Sequence, residues 1–145
     1  MLAACRILVA VAARSISAVE QEADLLQVRA LVVIASRGPV SLGELAQAAG
    51  LHLTRASRLC DRMVQAGLIT RAVDPANRRQ VILSLTFAGQ QVVETVMQRR
   101  WAAIEPVLAR MTEKQRRDLV AALAAFAEAA EEVSERDLWA MGWTT

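Results

Sequence analysis

The stretch Leu53-Thr54-Arg55-Ala56-Ser57-Arg58-Leu59-Cys60-Asp61-Arg62-Met63-Val64-Gln65-Ala66-Gly67, followed by Leu68-Ile69-Thr70-Arg71-Ala72-Val73, changes its hydrophobic period part-way along. Ala56, Leu59, Cys60 and Met63 recur at helical spacing, while Thr54, Arg55, Arg58, Asp61, Arg62 and Gln65 occupy the opposite face. That spacing predicts an amphipathic helix over 53–66, closed by Gly67. Beyond it the period falls to two. Residues 68–73 and 80–85 read as short strands joined by Asp74-Pro75-Ala76-Asn77-Arg78-Arg79, a hairpin with a basic tip.

Working outward towards the N-terminus, Ser41-Leu42-Gly43-Glu44 is a capping box that starts a short helix ending near Ala49-Gly50. Before it, residues 24–36 carry Leu25, Val28, Leu31, Val32 and Ala35 at helical spacing, and Arg37-Gly38-Pro39 ends that helix. Residues 2–20 are apolar nearly all round, with Leu8, Ala12, Ile16 and Val19 on one stripe and Ile7, Val11 and Ala18 on others. A helix buried on most of its faces needs more cover than a monomer of 145 residues offers, which points to a subunit interface. Towards the C-terminus, a long helix from Thr86 carries Val92, Val93, Val96, Trp101, Ile104, Val107, Leu108 and Met111, with a kink expected at Pro106. Thr112-Glu113-Lys114-Gln115 repeats the capping-box pattern and opens a last helix through Leu119, Val120, Leu123, Phe126 and Val133. The tail, 134–145, is too short to class, and its Trp139 and Trp143 need cover.

The composition agrees with a single helical folding unit. Of the 145 residues, 54% are hydrophobic and 28 are Ala, against 6 Gly and 3 Pro. The net charge of +2 hides an uneven distribution. Residues 51–80 hold Arg55, Arg58, Arg62, Arg71, Arg78 and Arg79 against Asp61 and Asp74, a balance of +4, while the remainder balances at −2. Of the 17 basic residues 16 are Arg, the side chain suited to bidentate phosphate and guanine recognition; a codon-composition habit accounts equally for the chain-wide bias, and solvated helix-face charge for any one Arg.

Other functions are disfavoured. Cys5 and Cys60 make no disulfide framework, and with His52 as the lone His no standard zinc site assembles, so no metal and no cofactor are expected. Leu2-Ala3-Ala4-Cys5 has the look of a lipoprotein box, but no basic or hydrophobic leader precedes it and no segment is apolar enough to span a membrane. The cytoplasm is the expected compartment. With no Ser-His-Asp or paired-carboxylate pattern and no Gly-rich phosphate loop, an enzyme is not expected.

The order helix, tight turn, helix and hairpin over 24–85 describes a winged helix-turn-helix, in a fold that is mainly α with a small β-hairpin wing. The turn at Gly50-Leu51 sets the second helix steeply against the first, so that its polar face can enter a major groove. The motifs Gly38-Pro39-Val40-Ser41-Leu42-Gly43-Glu44-Leu45-Ala46, Ser57-Arg58-Leu59-Cys60-Asp61-Arg62-Met63, Ala66-Gly67-Leu68-Ile69, Asp74-Pro75-Ala76-Asn77-Arg78-Arg79 and Leu85-Thr86-Phe87-Ala88-Gly89 resemble the MarR family of transcriptional regulators.

That resemblance implies a homodimer on double-stranded DNA. Residues 1–23 and 86–145 would be the N- and C-terminal dimerisation helices, and 24–85 the DNA-binding domain reading half of a pseudo-palindrome. The expected activity is repression relieved by a small aromatic or anionic ligand, for which no residues are assigned. Thr54, Arg55, Ser57 and Arg58 would face bases and phosphates, Arg62 the backbone, and Arg79 the minor groove with help from Arg78. Ser41 could donate to a phosphate, although capping alone explains it. Two positions depart from the family pattern. Asn77 stands where an arginine-bracing Asp is usual, and His52, a poor cap, stands where an N-cap Asp is common; His52 reads as an exposed loop residue or a DNA contact. The alternatives are a thiol-based redox sensor acting through Cys5, disfavoured by the absence of Tyr, and a helical interaction protein that does not bind DNA.

Overall fold

The computed structural model describes residues 2–17, 19, 23–75, 77, 78 and 80–130, the first four by backbone alone. The elements run α1 (Leu2–Ser17), α2 (Leu25–Arg37), β1 (Val40–Ser41), α3 (Leu42–Ala49), α4 (Leu53–Gln65), β2 (Ile69–Val73), β3 (Val81–Leu85), α5 (Phe87–Leu108) and α6 (Glu113–Ala129). The strands form one antiparallel sheet in the order β1-β3-β2, with Val73 opposite Val81, Ile69 opposite Leu85 and Val40 opposite Leu83. This is the winged helix-turn-helix expected from the sequence.

Local chemistry places the helix starts. The Asp24 carboxylate accepts the Gln27 N–H at 2.9 Å while the Gln27 side chain accepts the Asp24 N–H at 2.8 Å, closing a capping box on α2. Ser41 and Glu44 do the same for α3, and Thr112 and Gln115 for α6. Gly50 ends α3 in the left-handed region at φ 65°, and the Leu51 N–H returns to the Ala46 carbonyl at 2.8 Å. This closed turn fixes where α4 departs.

The core joins the end of α1, α2, α3, α4, the sheet and the first half of α5. Leu31, Ile34, Leu45, Leu59, Met63, Ile69, Leu83, Val93 and Val96 are all fully buried in it. Burying each large aliphatic side chain contributes about 1.5–3 kcal/mol. All four residues of the predicted α4 stripe, Ala56, Leu59, Cys60 and Met63, lie within this interior. Where α5 begins, a Cβ on Gly89 would collide with the Leu68 carbonyl oxygen, so only glycine permits that approach. Thr86 secures the same corner: its hydroxyl donates to the Gly67 carbonyl at 2.6 Å and accepts the Gly89 N–H at 3.1 Å.

Several expectations need correction. The first helix spans Leu2–Ser17; Ile16 and Val19 of the expected stripe are buried, but Leu8 is exposed, and Val11 and Ser15 join the buried face. Leu25, expected on the α2 stripe, is also exposed, because that helix turns Val28, Leu31, Ile34 and Ala35 inward and leaves its first residue outside the core. Strand β1 is not anticipated by the sequence: two residues carry no readable period, and pairing with β3 makes them a strand. Pro106, where a kink is expected, lies within the last turn of α5, which continues to Leu108. Val133, the tail with Trp139 and Trp143, and the Cys5 side chain lie outside the described residues.

Helix α1 packs on α5. There the half-buried Arg100 donates from Nε to Ser15 Oγ at 3.1 Å, and Ser15 donates to the Ala12 carbonyl at 2.7 Å. Burial pulls the Arg100 pKa below the ordinary arginine value. Elsewhere these outer helices leave apolar side chains in the open: Ile7, Leu8 and Val9 on α1, Trp101 and Val107 on α5, and Val120, Leu123 and Phe126 on α6. No residue of α6 is buried. Among the described residues no helix is long and apolar enough to cross a membrane.

Candidate nucleic-acid interface

The buried stripe of α4 forces its other face outward. Thr54, Arg55 and Arg58 are exposed and Ser57 is half-buried, so the helix presents hydroxyls and guanidiniums along one side. His52 occupies the N-cap position without a side-chain cap bond, as expected of a poor capping residue, and it is exposed. The N-terminal turn of α4 is therefore not closed by its own N-cap side chain.

A clasp holds the wing to this helix. Arg71 on β2 donates from Nη1 to Asp61 Oδ1 at 2.7 Å and from Nη2 to the Ser57 carbonyl at 3.3 Å. One guanidinium thus bridges the middle of α4 and the first wing strand. Asp61 in turn braces an arginine of that strand. Beneath the clasp Cys60 is fully buried. Burial pushes its thiol pKa up, with Arg71 pulling the other way, which suits a packing residue better than a reactive thiolate.

At the hairpin tip, the Asp74 N–H donates to the Gln80 carbonyl at 2.9 Å and the Gln80 N–H to the Asn77 carbonyl at 2.8 Å. Asn77 Nδ2 also donates to Gln80 Oε1 at 3.4 Å. Arg78 is exposed on this turn, and Arg79 lies outside the described residues. Ser41 is buried, its hydroxyl accepting the Glu44 N–H at 3.2 Å and its N–H donating to Glu44 Oε2 at 2.7 Å. These bonds, the backbone one first, hold the Glu44 carboxyl below its ordinary value. The capping function accounts for the Ser41 geometry.

On the other flank of α4, Arg62 Nη1 lies 3.7 Å from Asp24 Oδ2, both side chains about half exposed. Asp24, Leu25, Leu26, Arg29, Ala49, Arg55 and Arg62 line an open hollow between the start of α2, the end of α3 and α4. The expected residues Arg55 and Arg62 are thus brought together, whereas Ser57 and Arg58 lie further round the helix. Sequence reading misses Asp24 and Arg71 as members of this surface. The signal for Asp24 is present, because Asp24-Leu25-Leu26-Gln27 is itself a capping-box pattern; nothing in it names the partner 38 positions away.

A model of the MarR family matches residues 24–80. The HTH-type transcriptional regulator FarR of Neisseria gonorrhoeae is 30% identical over 106 residues, covering 71% of this chain and 73% of that protein. Among solved structures, RV1404 from Mycobacterium tuberculosis superposes with a TM-score of 0.81 at 38% identity, covering 92% of this chain and 90% of that one. A mutant of MepR from Staphylococcus aureus, bound to an oligodeoxyribonucleotide, has a TM-score of 0.61 at 18% identity over 83% and 89% of the two chains. At that identity the likeness is one of fold.

Proposed function

The chain belongs to the MarR family of transcriptional regulators, and from that premise we propose that it is a homodimeric DNA-binding repressor released by a small ligand. The observation that carries the reading is the outward face of α4, polar and arginine-rich, locked to a basic hairpin by the Arg71–Asp61 clasp. In this reading Thr54, Arg55, Ser57 and Arg58 enter the major groove, Arg62 meets the backbone, and Arg78 and Arg79 reach the adjacent minor groove. Ser41 serves indirectly, by fixing the start of α3. That FarR, at 30% identity, is an HTH-type transcriptional regulator supports DNA as the partner.

The homodimer reading rests on the apolar side chains that α1, α5 and α6 leave uncovered. A second copy, interleaving residues 1–23 and 86–145 with the first, would bury them and set two α4 helices one DNA turn apart. A small aromatic or anionic ligand acts by favouring a dimer geometry in which that spacing no longer matches. The protein then works in the cytoplasm, on the chromosome, as a switch and not as a catalyst.

Selection of bound duplexes from a random pool tests this reading. The expected product is an inverted repeat whose half-sites are about 10 base pairs apart centre to centre. Enrichment of an unrepeated site, or of nothing, contradicts it.

A further inference from the structure

Resting on the DNA-binding reading, we propose that Asp24 is a built-in competitor for DNA phosphate at Arg62, so that it tempers affinity from outside the recognition helix. The hollow beside α4 is rimmed by three guanidiniums, Arg29, Arg55 and Arg62, and among the described residues Asp24 is its one acidic lining residue. Asp24 is held there. Its Oδ1 accepts the Gln27 N–H at 2.9 Å and its own N–H donates to Gln27 Oε1 at 2.8 Å, which anchors the carboxylate at the helix end. The remaining oxygen, Oδ2, faces Arg62 at 3.7 Å.

A phosphate approaching α4 on this flank meets Arg62 already engaged by a carboxylate of the same charge sign as itself. Two consequences follow from elementary electrostatics. The phosphate must displace Asp24 or share the guanidinium with it, and the fixed carboxylate repels the strand whichever occurs. Because both side chains are half exposed the pair itself is weak, which is what allows DNA to displace it. Asp24 also caps α2, so the same residue that starts the first helix of the winged domain sets the charge beside the recognition helix.

The test exploits the equal capping ability of Asn and Asp. Asp24→Asn keeps the cap and removes the charge. Binding of the full chain to a mixed-sequence duplex, followed by fluorescence anisotropy across a salt series, should tighten by roughly two- to five-fold at low salt. The slope of log K against log salt should steepen by up to about 1, since Arg62 now neutralises a phosphate unopposed. Combining Asp24→Asn with Arg62→Gln should abolish most of the gain. An unchanged or weaker affinity in Asp24→Asn with an unchanged melting temperature overturns the proposal, as does an undiminished gain in the Arg62→Gln background. If the wild-type chain binds no duplex, the DNA-binding reading fails and this proposal with it; if the wild type binds and only the Asp24→Asn response is missing, the competitor alone is rejected.

Discussion

Leu59 on α4 and Leu123 on α6 are the same residue type, and their surroundings are opposite. Leu59 is 1% exposed within the core, whereas Leu123 is 43% exposed on a helix with no fully buried residue. The winged domain encloses a core of its own within one chain, although Leu25, Leu53, Val64, Val73 and Val81 stay exposed on it. The outer helices leave a surface that a soluble monomer rarely tolerates. The difference separates an enclosed core from a face that the proposed second copy would cover, and each half of that contrast can be broken separately.

The largest effect is expected inside the winged core. Leu59→Ala should cost about 2–5 kcal/mol in denaturant unfolding, because the surrounding side chains cannot collapse into the space. A loss below about 1 kcal/mol would mean that this core is looser than its burial implies. On the outer helices the effect is on assembly. Replacing Leu123 and Phe126 together by Asp should halve the particle mass in light scattering while the capped, clasped winged domain keeps its structure; a wild-type chain that is already monomeric would undo the contrast.

How much of this was legible in the sequence depends on the kind of information each element needs. The α4 stripe was readable in full, because Ala56, Leu59, Cys60 and Met63 repeat at 3.6 and the switch to period two marks the wing. The capping boxes at Ser41 and Thr112 were equally local. Strand β1 was not readable, since Val40 and Ser41 become a strand only through Leu83 and Ile82. Leu8 and Leu25 show the limit of periodicity, which assigns a face to a helix but not what covers it. The Arg71–Asp61 clasp and the Asp24–Arg62 pair are tertiary, linking positions whose spacing has no helical or strand meaning.

Smaller effects sharpen the contrast at the helix starts. Ser41→Ala removes the hydroxyl that accepts the Glu44 N–H, leaving only the backbone half of the α3 capping box, and should cost about 1 kcal/mol. A thermal melt in which Ser41→Ala equals wild type would show that β1 pairing and the Glu44 carboxylate hold that corner without it. The smallest effect is a pH dependence. The Glu44 carboxyl is held below its ordinary value, so its contribution is present above the ordinary carboxylate range and is lost as pH falls through the lowered value. The melting-temperature gap between wild type and Glu44→Gln should therefore exist at neutral pH and close in acid; a gap that widens in acid has the wrong sign.

The claim that the α4 and wing face is the DNA-reading surface is tested most directly by the salt dependence of duplex binding in wild type and Arg58→Ala. Wild type should show a steep inverse dependence on salt, and Arg58→Ala should bind more weakly with a slope smaller in magnitude by about 1. A wild-type affinity indifferent to salt, or an Arg58→Ala curve that overlies it, would contradict the assignment.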